Sequence, residues 1–494
     1  MYAPHTGGSS AMLTDLYQLT MAGAYLEAGV ADTEACFHLY FRSNPFQGGY
    51  SIACGLAQAL DYLEQLNFTE EDIAYLATLS GADGKPLFRP AFLEWLRAFR
   101  FDADVLAVPE GTVVFPGEPL VRITGPVATC QIVETALLNI INFQTLVATK
   151  AARVVMAAEG DPVLEFGLRR AQGPDGGLSA GRAAYIGGCA GTSNVLTGQR
   201  YGVPVGGTHA HSLVMLFDTE LEAFLAYAEA MPNNAVLLVD TYDTLEGVRN
   251  AIKAGERLRE LGSDLAGVRI DSGDLAWLSI RARELLDDAG FRATRIYASN
   301  ELDEYTIGSL KEQGAKIDVW GVGTKLVTAY DQPALGGVYK LSAVREPGGQ
   351  WEPRVKVSEQ AAKVTTPGLQ QIRRFIDEAG RFVGDMVYDE LEPPDAPCVM
   401  VDPADATRRT SYCPVYASEE LLVPVCTAGS VIYDVPSIAE SRDRTREQLS
   451  LLDPSHQRLL NPHIYKVGTE LGLYERKTAL ILAARGLASD EGGR

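Results

Sequence analysis

Five short apolar runs restrict the fold more than any other feature of this sequence. VLEF (163–166), AVLLV (235–239), GVRI (267–270), RIYA (295–298) and IDVW (317–320) are rich in β-branched residues, and each stops on Gly, Asp or Ser. Runs of this kind predict strands that are covered on both faces. Helical patterns lie between several of them. Leu245, Val248, Ile252 and Leu261 fall near one face before Gly262, and Leu275, Leu278, Leu285 and Leu286 do the same before Gly290. Strand, polar end and helix in repetition predict βα units and a parallel sheet. In such sheets the polar residues at the C-terminal strand ends build the site, whether the sheet is open or closed. The candidate windows are therefore 166–169, 240–243, 271–274, 299–303 and 321–325. GVPVGGTHAHSLVMLF (202–217), with the start of a buried strand, joins them.

The flanks read differently. VPEGTVVFPGEPLVRITG (108–125) and AVREPGGQWEPRVKV (343–357) alternate and turn, which predicts an α+β portion outside the parallel sheet, and the tail from Pro454 reads as helical and charged. A length of 494 residues predicts two or three domains.

Charge excludes partners. With 43 basic and 64 acidic residues the net charge is −21, a field that repels nucleic acid and anionic membrane surfaces. An anionic substrate needs a local cluster of Arg, Lys and backbone N–H groups. No Lys or Arg precedes an apolar stretch in MYAPHTGGSSAMLTDLYQLT, so no secretory leader is expected, and no run is long enough for a membrane span. Seven scattered cysteines without a CxxC predict reduced thiols and a cytoplasmic protein. Cys398, Cys413 and Cys426 fit no common zinc spacing.

Each strand-end motif admits a functional and a bland reading. GVGTK (321–325) suits a phosphate, because glycines let backbone N–H groups come close, and it equally suits a plain βα turn. RIDSGD (269–274) offers an Arg and two carboxylates; Asp274 reads as a helix N-cap. The Arg pair of EFGLRRAQ (165–172) is an anion site or a solvated surface pair. His209 and His211 stand two apart, so along a strand they share a face. They admit a chelating pair, a buried structural pair, or one working base. The other histidines, 5, 38, 456 and 463, lie outside the βα region, which leaves a histidine-rich metal site without further ligands.

Taken in order, LTDLYQLTMAGAYLEAG (13–29), FHLYFRSNPFQGGYSIACGL (37–56), EFGLRRAQGPDGG (165–177), GTSNVLTGQRYGVPVGGTHAHS (191–212), LLVDTYDT (237–244), VRIDSGDL (268–275) and GVGTKLVT (321–328) resemble the nicotinate phosphoribosyltransferases. GGVYKL (336–341), KVTTPG (363–368) and PSHQRL (454–459) extend the likeness nearly end to end, and residues 110–126 and 133–143 are similar to the related quinolinate enzyme.

The resemblance implies an irregular parallel α/β barrel at 136–342, an N-terminal α+β domain at 1–135, and a C-terminal region at 343–494 that partly returns to it. It implies a homodimer with shared active sites. The implied reaction joins nicotinate to 5-phosphoribosyl-1-pyrophosphate, with Mg²⁺ and with ATP as co-substrate, in NAD biosynthesis. By position, His211 matches the phosphorylated histidine in the frame Gly-Thr-x-Ala-His-Ser, with Asp240 orienting it. Asp271 would bind the ribose hydroxyls and Arg269 the substrate or pyrophosphate. Gly323 and Thr324 would cradle the 5′-phosphate, with Ser299 and Asn300 alongside. Phe166 would stack on the pyridine and Tyr17, from the neighbouring subunit, would close its other face. Arg169 and Ser193 would lie near the nicotinate carboxylate or phosphates, and Thr208 belongs to the same substrate-binding set. His209 departs from the family pattern, which leaves a local metal affinity or a second phosphate contact open. The alternatives are a nicotinamide-using sister, a silent nucleotide-binding relative, and a metal-dependent barrel hydrolase built on the HAH pair.

Overall fold

The structure, a computed structural model, describes residues 10–360 and 363–487. Residues 1–9, part of the stretch read for a leader and the site of His5, lie outside them. The chain forms two compact units, Val147–Pro333 and the segments on either side taken together, up to Leu146 and from Ala334. The divisions thus fall at 146/147 and 333/334, against 135/136 and 342/343 from the sequence. The later boundary moves because Val338–Arg345 pairs antiparallel with Glu34–Tyr40 and so belongs to the flanking unit.

That unit is antiparallel in the main. Its seven-stranded sheet runs Glu352–Pro353, Val338–Arg345, Glu34–Tyr40, Val121–Pro126, Asp104–Ala107, Val423–Thr427, Ser430–Val431. Strands from beyond residue 334 thereby flank strands from before residue 130. A second, six-stranded sheet is built from Gln370–Ile376, Phe382–Asp389, Cys398–Asp402, Asp405–Tyr412, Ala417–Glu420 and Val467–Glu470; in it buried Arg374 closes on Asp385 at 2.5 Å, and the Tyr465 hydroxyl donates to Asp385 at 2.9 Å. Cys398 and Cys426 are buried and Cys413 is exposed.

The middle unit carries the parallel sheet. Its strands are β1 (Val163–Glu165), β2 (Gly191–Thr192), β3 (Val236–Leu238), β4 (Gly267–Ile270), β5 (Arg295–Ala298) and β6 (Val319–Val322). The order is β2-β1-β6-β5-β4-β3, and every ladder is parallel. After the end of the long helix Glu134–Ala157, the unit's α-helices are α1 (Gly173–Ile186), α2 (Val195–Tyr201), α3 (His211–Met215), α4 (Glu220–Ala230), α5 (Thr244–Glu260), α6 (Leu275–Asp288), α7 (Glu304–Glu312) and α8 (Thr324–Val327). Aspartates start three of them: Asp243, Asp274 and Asp303 accept the Glu246, Trp277 and Thr306 N–H groups at 2.9, 3.0 and 2.7 Å. Asp274 is thus the N-cap it reads as. Gly262 and Gly290, both at φ +80°, follow α5 and α6 in the left-handed conformation that ends a helix.

The sheet is open, with β2 at one edge and β3 at the other, and no ladder closes the cut between them among the described residues. The stretch from residue 202 occupies the cut, but not as the buried strand its composition suggests. Val205 is 53% exposed and makes one parallel bridge, to Thr192. Pro204 has no N–H to donate, and Gly206 and Gly207 have no side chains to bury. At the other side of the cut, the His209 ring accepts the Leu238 N–H at 3.1 Å.

Candidate active site

The C-terminal ends of β1, β4, β5 and β6 surround a cleft of ≈ 130 Å³. It is lined by Phe166, Arg169, Arg170, Arg269, Asp271, Ser299, Asn300, Glu301, Gly321, Gly323 and Thr324. Three guanidinium groups face two carboxylates, so the cleft is net positive in a chain of charge −21. This is the local cation cluster that an anionic substrate requires.

Backbone shape makes room for the side chains. A Cβ on Gly321 would lie 2.7 and 2.8 Å from two atoms of the Phe166 ring, so glycine there lets the ring rest against β6. Beyond β5, Asn300 (φ +92°) and Glu301 (φ +35°) are consecutive non-glycine residues in positive-φ backbone. Such strain persists where the surroundings fix it, and it gathers at functional sites. Lys325 is already engaged: its Nζ lies 2.6 Å from Asp303, the cap of α7.

Arg269 joins the cleft to the histidine segment. Its Nη1 donates to Thr208 Oγ1 at 2.6 Å and its Nη2 to the His209 carbonyl at 3.2 Å, while its buried Nε has no partner. Asp271 takes the Ser299 hydroxyl at 2.5 Å on Oδ1, and its Oδ2 lies 3.9 Å from His211 Nε2. Asp240 does not orient His211. Its Oδ2 accepts the Asp271 N–H at 2.9 Å and the Ser272 hydroxyl at 2.6 Å, so it braces the turn after β4. The partner of His211 Nδ1 is Thr241 Oγ1, at 3.1 Å. Asp240 Oδ1 is buried without a partner.

The two imidazoles do different things. His209 sits 4.8 Å from the Tyr227 ring and 6.2 Å from Phe224, centroid to centroid. Burial above all lowers its pKa to about 4, and accepting the Leu238 N–H requires an unprotonated Nε2. Its ring nitrogen is thereby turned to the sheet edge and does not pair with His211 around an ion. No cluster of three or more metal-ligating side chains occurs among the described residues. The HAH hydrolase reading loses its geometric basis.

Two further sequence candidates, Ser193 and Tyr17, are not among the residues that line the cleft. Ser193 follows β2, and its N–H donates to the Glu165 carbonyl at 2.8 Å. Tyr17 belongs to the flanking unit, 46% exposed on Leu16–Glu27. Arg170 and Gly321, from the Arg pair and the GVGTK motif, also line the cleft, together with Glu301, which no sequence pattern sets apart from its neighbours. Thr241 lies in the 240–243 window but received no role, because a threonine after an aspartate carries no distinctive pattern.

Three family models match the chain: the nicotinate phosphoribosyltransferase N-terminal domain over residues 12–142, the nicotinate phosphoribosyltransferase family over 162–352, and the C-terminal domain over 369–477. The chain is 41% identical to nicotinate phosphoribosyltransferase of Bacillus subtilis, covering 98% of this chain and 97% of that one. It is 42% identical to nicotinate phosphoribosyltransferase pncB2 of Mycobacterium tuberculosis, over 90% and 88% of the two chains. Among solved structures, human nicotinic acid phosphoribosyltransferase superposes with a TM-score of 0.83 at 35% identity, over 94% of this chain and 99% of that one. No helix of the described residues is long and apolar enough to cross a membrane.

Proposed function

The chain belongs to the nicotinate phosphoribosyltransferase family, and we propose that it forms nicotinate mononucleotide and pyrophosphate from nicotinate and 5-phosphoribosyl-1-pyrophosphate in NAD biosynthesis. The observation that carries this reading is the strand-end cleft, where Arg169, Arg170 and Arg269 meet Asp271 and the Phe166 ring. On this reading the cut parallel sheet is an irregular barrel, the enzyme is a cytoplasmic homodimer, and Tyr17 of the partner subunit closes the pyridine pocket.

Displacement at the ribose C1 develops positive charge on the sugar as the pyrophosphate leaves. The residues needed are a holder for the ribose, cations for the pyrophosphate and a clamp for the pyridine. Asp271 would take the ribose hydroxyls and face the developing charge. Its hydrogen bond from Ser299 holds it in place beforehand. Arg269, fixed by Thr208 and the His209 carbonyl through one N–H of each terminal nitrogen, would meet the pyrophosphate with the other N–H groups of those nitrogens. Gly323 and Thr324, with Asn300, would hold the 5′-phosphate.

ATP coupling passes through His211 on this reading. In the tautomer that donates Nδ1–H to Thr241, Nε2 keeps its lone pair and would accept a phosphoryl group from ATP while ADP leaves. The donors suit Mg²⁺, which takes one or two carboxylates plus substrate phosphates, because Asp240 has an orphaned buried oxygen. Bound by Asp240, Mg²⁺ would supply positive charge for the polyphosphates.

The test is product formation from nicotinate, 5-phosphoribosyl-1-pyrophosphate and Mg-ATP, read by chromatography with and without ATP. In parallel, ATP and Mg²⁺ alone should leave an acid-labile phosphoryl adduct on the wild type and on His209→Ala, and none on His211→Ala. An adduct that survives His211→Ala removes His211 from the acceptor role.

A further inference from the structure

Glu165 is a buried carboxylate, 1% exposed, to which the reaction above gives no part. One carboxylate oxygen accepts the Gly167 N–H and the other accepts the Thr192 hydroxyl at 2.5 Å. Gly167 directly follows Phe166, and Thr192 directly precedes Ser193. Thr192 Oγ1 itself accepts the Asn194 N–H at 3.0 Å, which directs its own proton toward Glu165. Asn194 caps α2 through the Leu196 and Thr197 N–H groups at 3.1 and 3.3 Å. The turn after β1 and the turn after β2 are therefore tied to one side chain.

A carboxylate is costly to bury, and here burial pushes its pKa up while the two donors pull it back. Joining two strands is already done by the ladder between β1 and β2. The side chain adds a fixed spacing between the two turns beyond them. We propose that Glu165 is a positioning residue for nicotinate, acting through Gly167 and Thr192 to set the Phe166 ring and the Ser193 hydroxyl at a fixed separation. This rests on the reading that Phe166 and Ser193 frame the pyridine and its carboxylate.

The test uses Glu165→Gln and Thr192→Val in the full chain, with kcat and both KM values measured. Glutamine keeps the size but cannot accept from both donors, and valine keeps the shape of threonine without its hydroxyl. Losing a charge-assisted bond predicts a nicotinate KM raised on the order of tenfold, with the KM for 5-phosphoribosyl-1-pyrophosphate within about twofold of wild type. A purely structural role would lower kcat and leave both KM values alone, and that result overturns the proposal. So does an unchanged nicotinate KM in either folded variant. Should Glu165→Gln not fold, Thr192→Val carries the same test. Phe166→Ala and Ser193→Ala separate the two levels. If neither changes nicotinate KM, the pocket reading fails; if both do and the Glu165 and Thr192 variants do not, only the positioning role fails.

Discussion

Asp271→Asn isolates charge from shape at the centre of the cleft. Asparagine retains an oxygen for the Ser299 hydroxyl, and the Asp271 N–H bond to Asp240 is untouched, so the fold has little to lose. The lost quantity is the attraction to positive charge developing on the ribose. For full unit charges about 4 Å apart, with screening typical of a protein surface, that attraction is ~4 kcal/mol. The Asp271 side chain is 32% exposed and the transition-state charge is partial, which brings the figure toward ~2.7 kcal/mol, the lower range for removing one preorganised stabiliser. Turnover should fall on the order of 10²-fold. Steady-state kcat with nicotinate and 5-phosphoribosyl-1-pyrophosphate measures it, and thermal denaturation checks the fold. The same variant gives a second, opposite readout. A phosphoryl group on His211 Nε2 would carry its negative charge toward Asp271 Oδ2, now 3.9 Å from that nitrogen. Removing the carboxylate charge should therefore raise the fraction of phosphorylated protein while turnover drops. Near-normal turnover in a folded variant, or a lowered adduct fraction, refutes the charge argument.

Three further expectations concern the pocket and the sheet edge. Ser193→Asp sets a carboxylate against the nicotinate carboxylate; a repulsion near ~1.4 kcal/mol already weakens kcat/KM for nicotinate about tenfold, and an unchanged nicotinate-to-nicotinamide ratio would show that residue 193 does not face the carboxyl group. Gly321→Ala introduces a methyl 2.7 Å from the Phe166 ring and should raise nicotinate KM severalfold; a KM equal to wild type would mean that the ring does not bear on the pyridine. His209, with its folded pKa near 4 against an ordinary 6.5, stabilises the fold fully above about pH 6.5 and progressively less as pH falls toward 4, because the unfolded chain takes the proton first. Wild-type Tm should then drop more steeply over that interval than Tm of His209→Gln, and parallel slopes would contradict it.

The strands were legible because burial on both faces leaves a plain apolar signature, and all five runs became strands of one parallel sheet. Their ends were less so. Asp318 lies in the apolar run IDVW, yet its carboxylate accepts the Ile296 N–H at 2.8 Å, and the strand begins one residue later. The two-residue strand Gly191–Thr192 has no apolar pattern at all; its place comes from pairing with Leu164 and Glu165. Across the cut, composition misled, because the apolar residues of GVPV suggested burial while Pro204 and the glycines after it weakened strand pairing.

The site was legible to the extent that strand ends define it. The cleft lining falls in the last residues of the strands or within a few residues after them, so knowing the strands located it. Bonds between segments distant in sequence could not be read. Asp240 looked like the natural orienter of His211 because an acid beside an imidazole is a familiar pair, whereas the neighbouring Thr241 supplies the nearer polar atom and Asp240 turns to Asp271 and Ser272. The same displacement explains His209. Its meaning depends on an unpaired N–H at the edge of β3, and that exists only because the sheet's ladders stop there. A histidine fills the position through one ring nitrogen while its backbone carbonyl takes Arg269. His209 thus contacts both the sheet edge, through its ring, and the cation of the cleft, through its carbonyl.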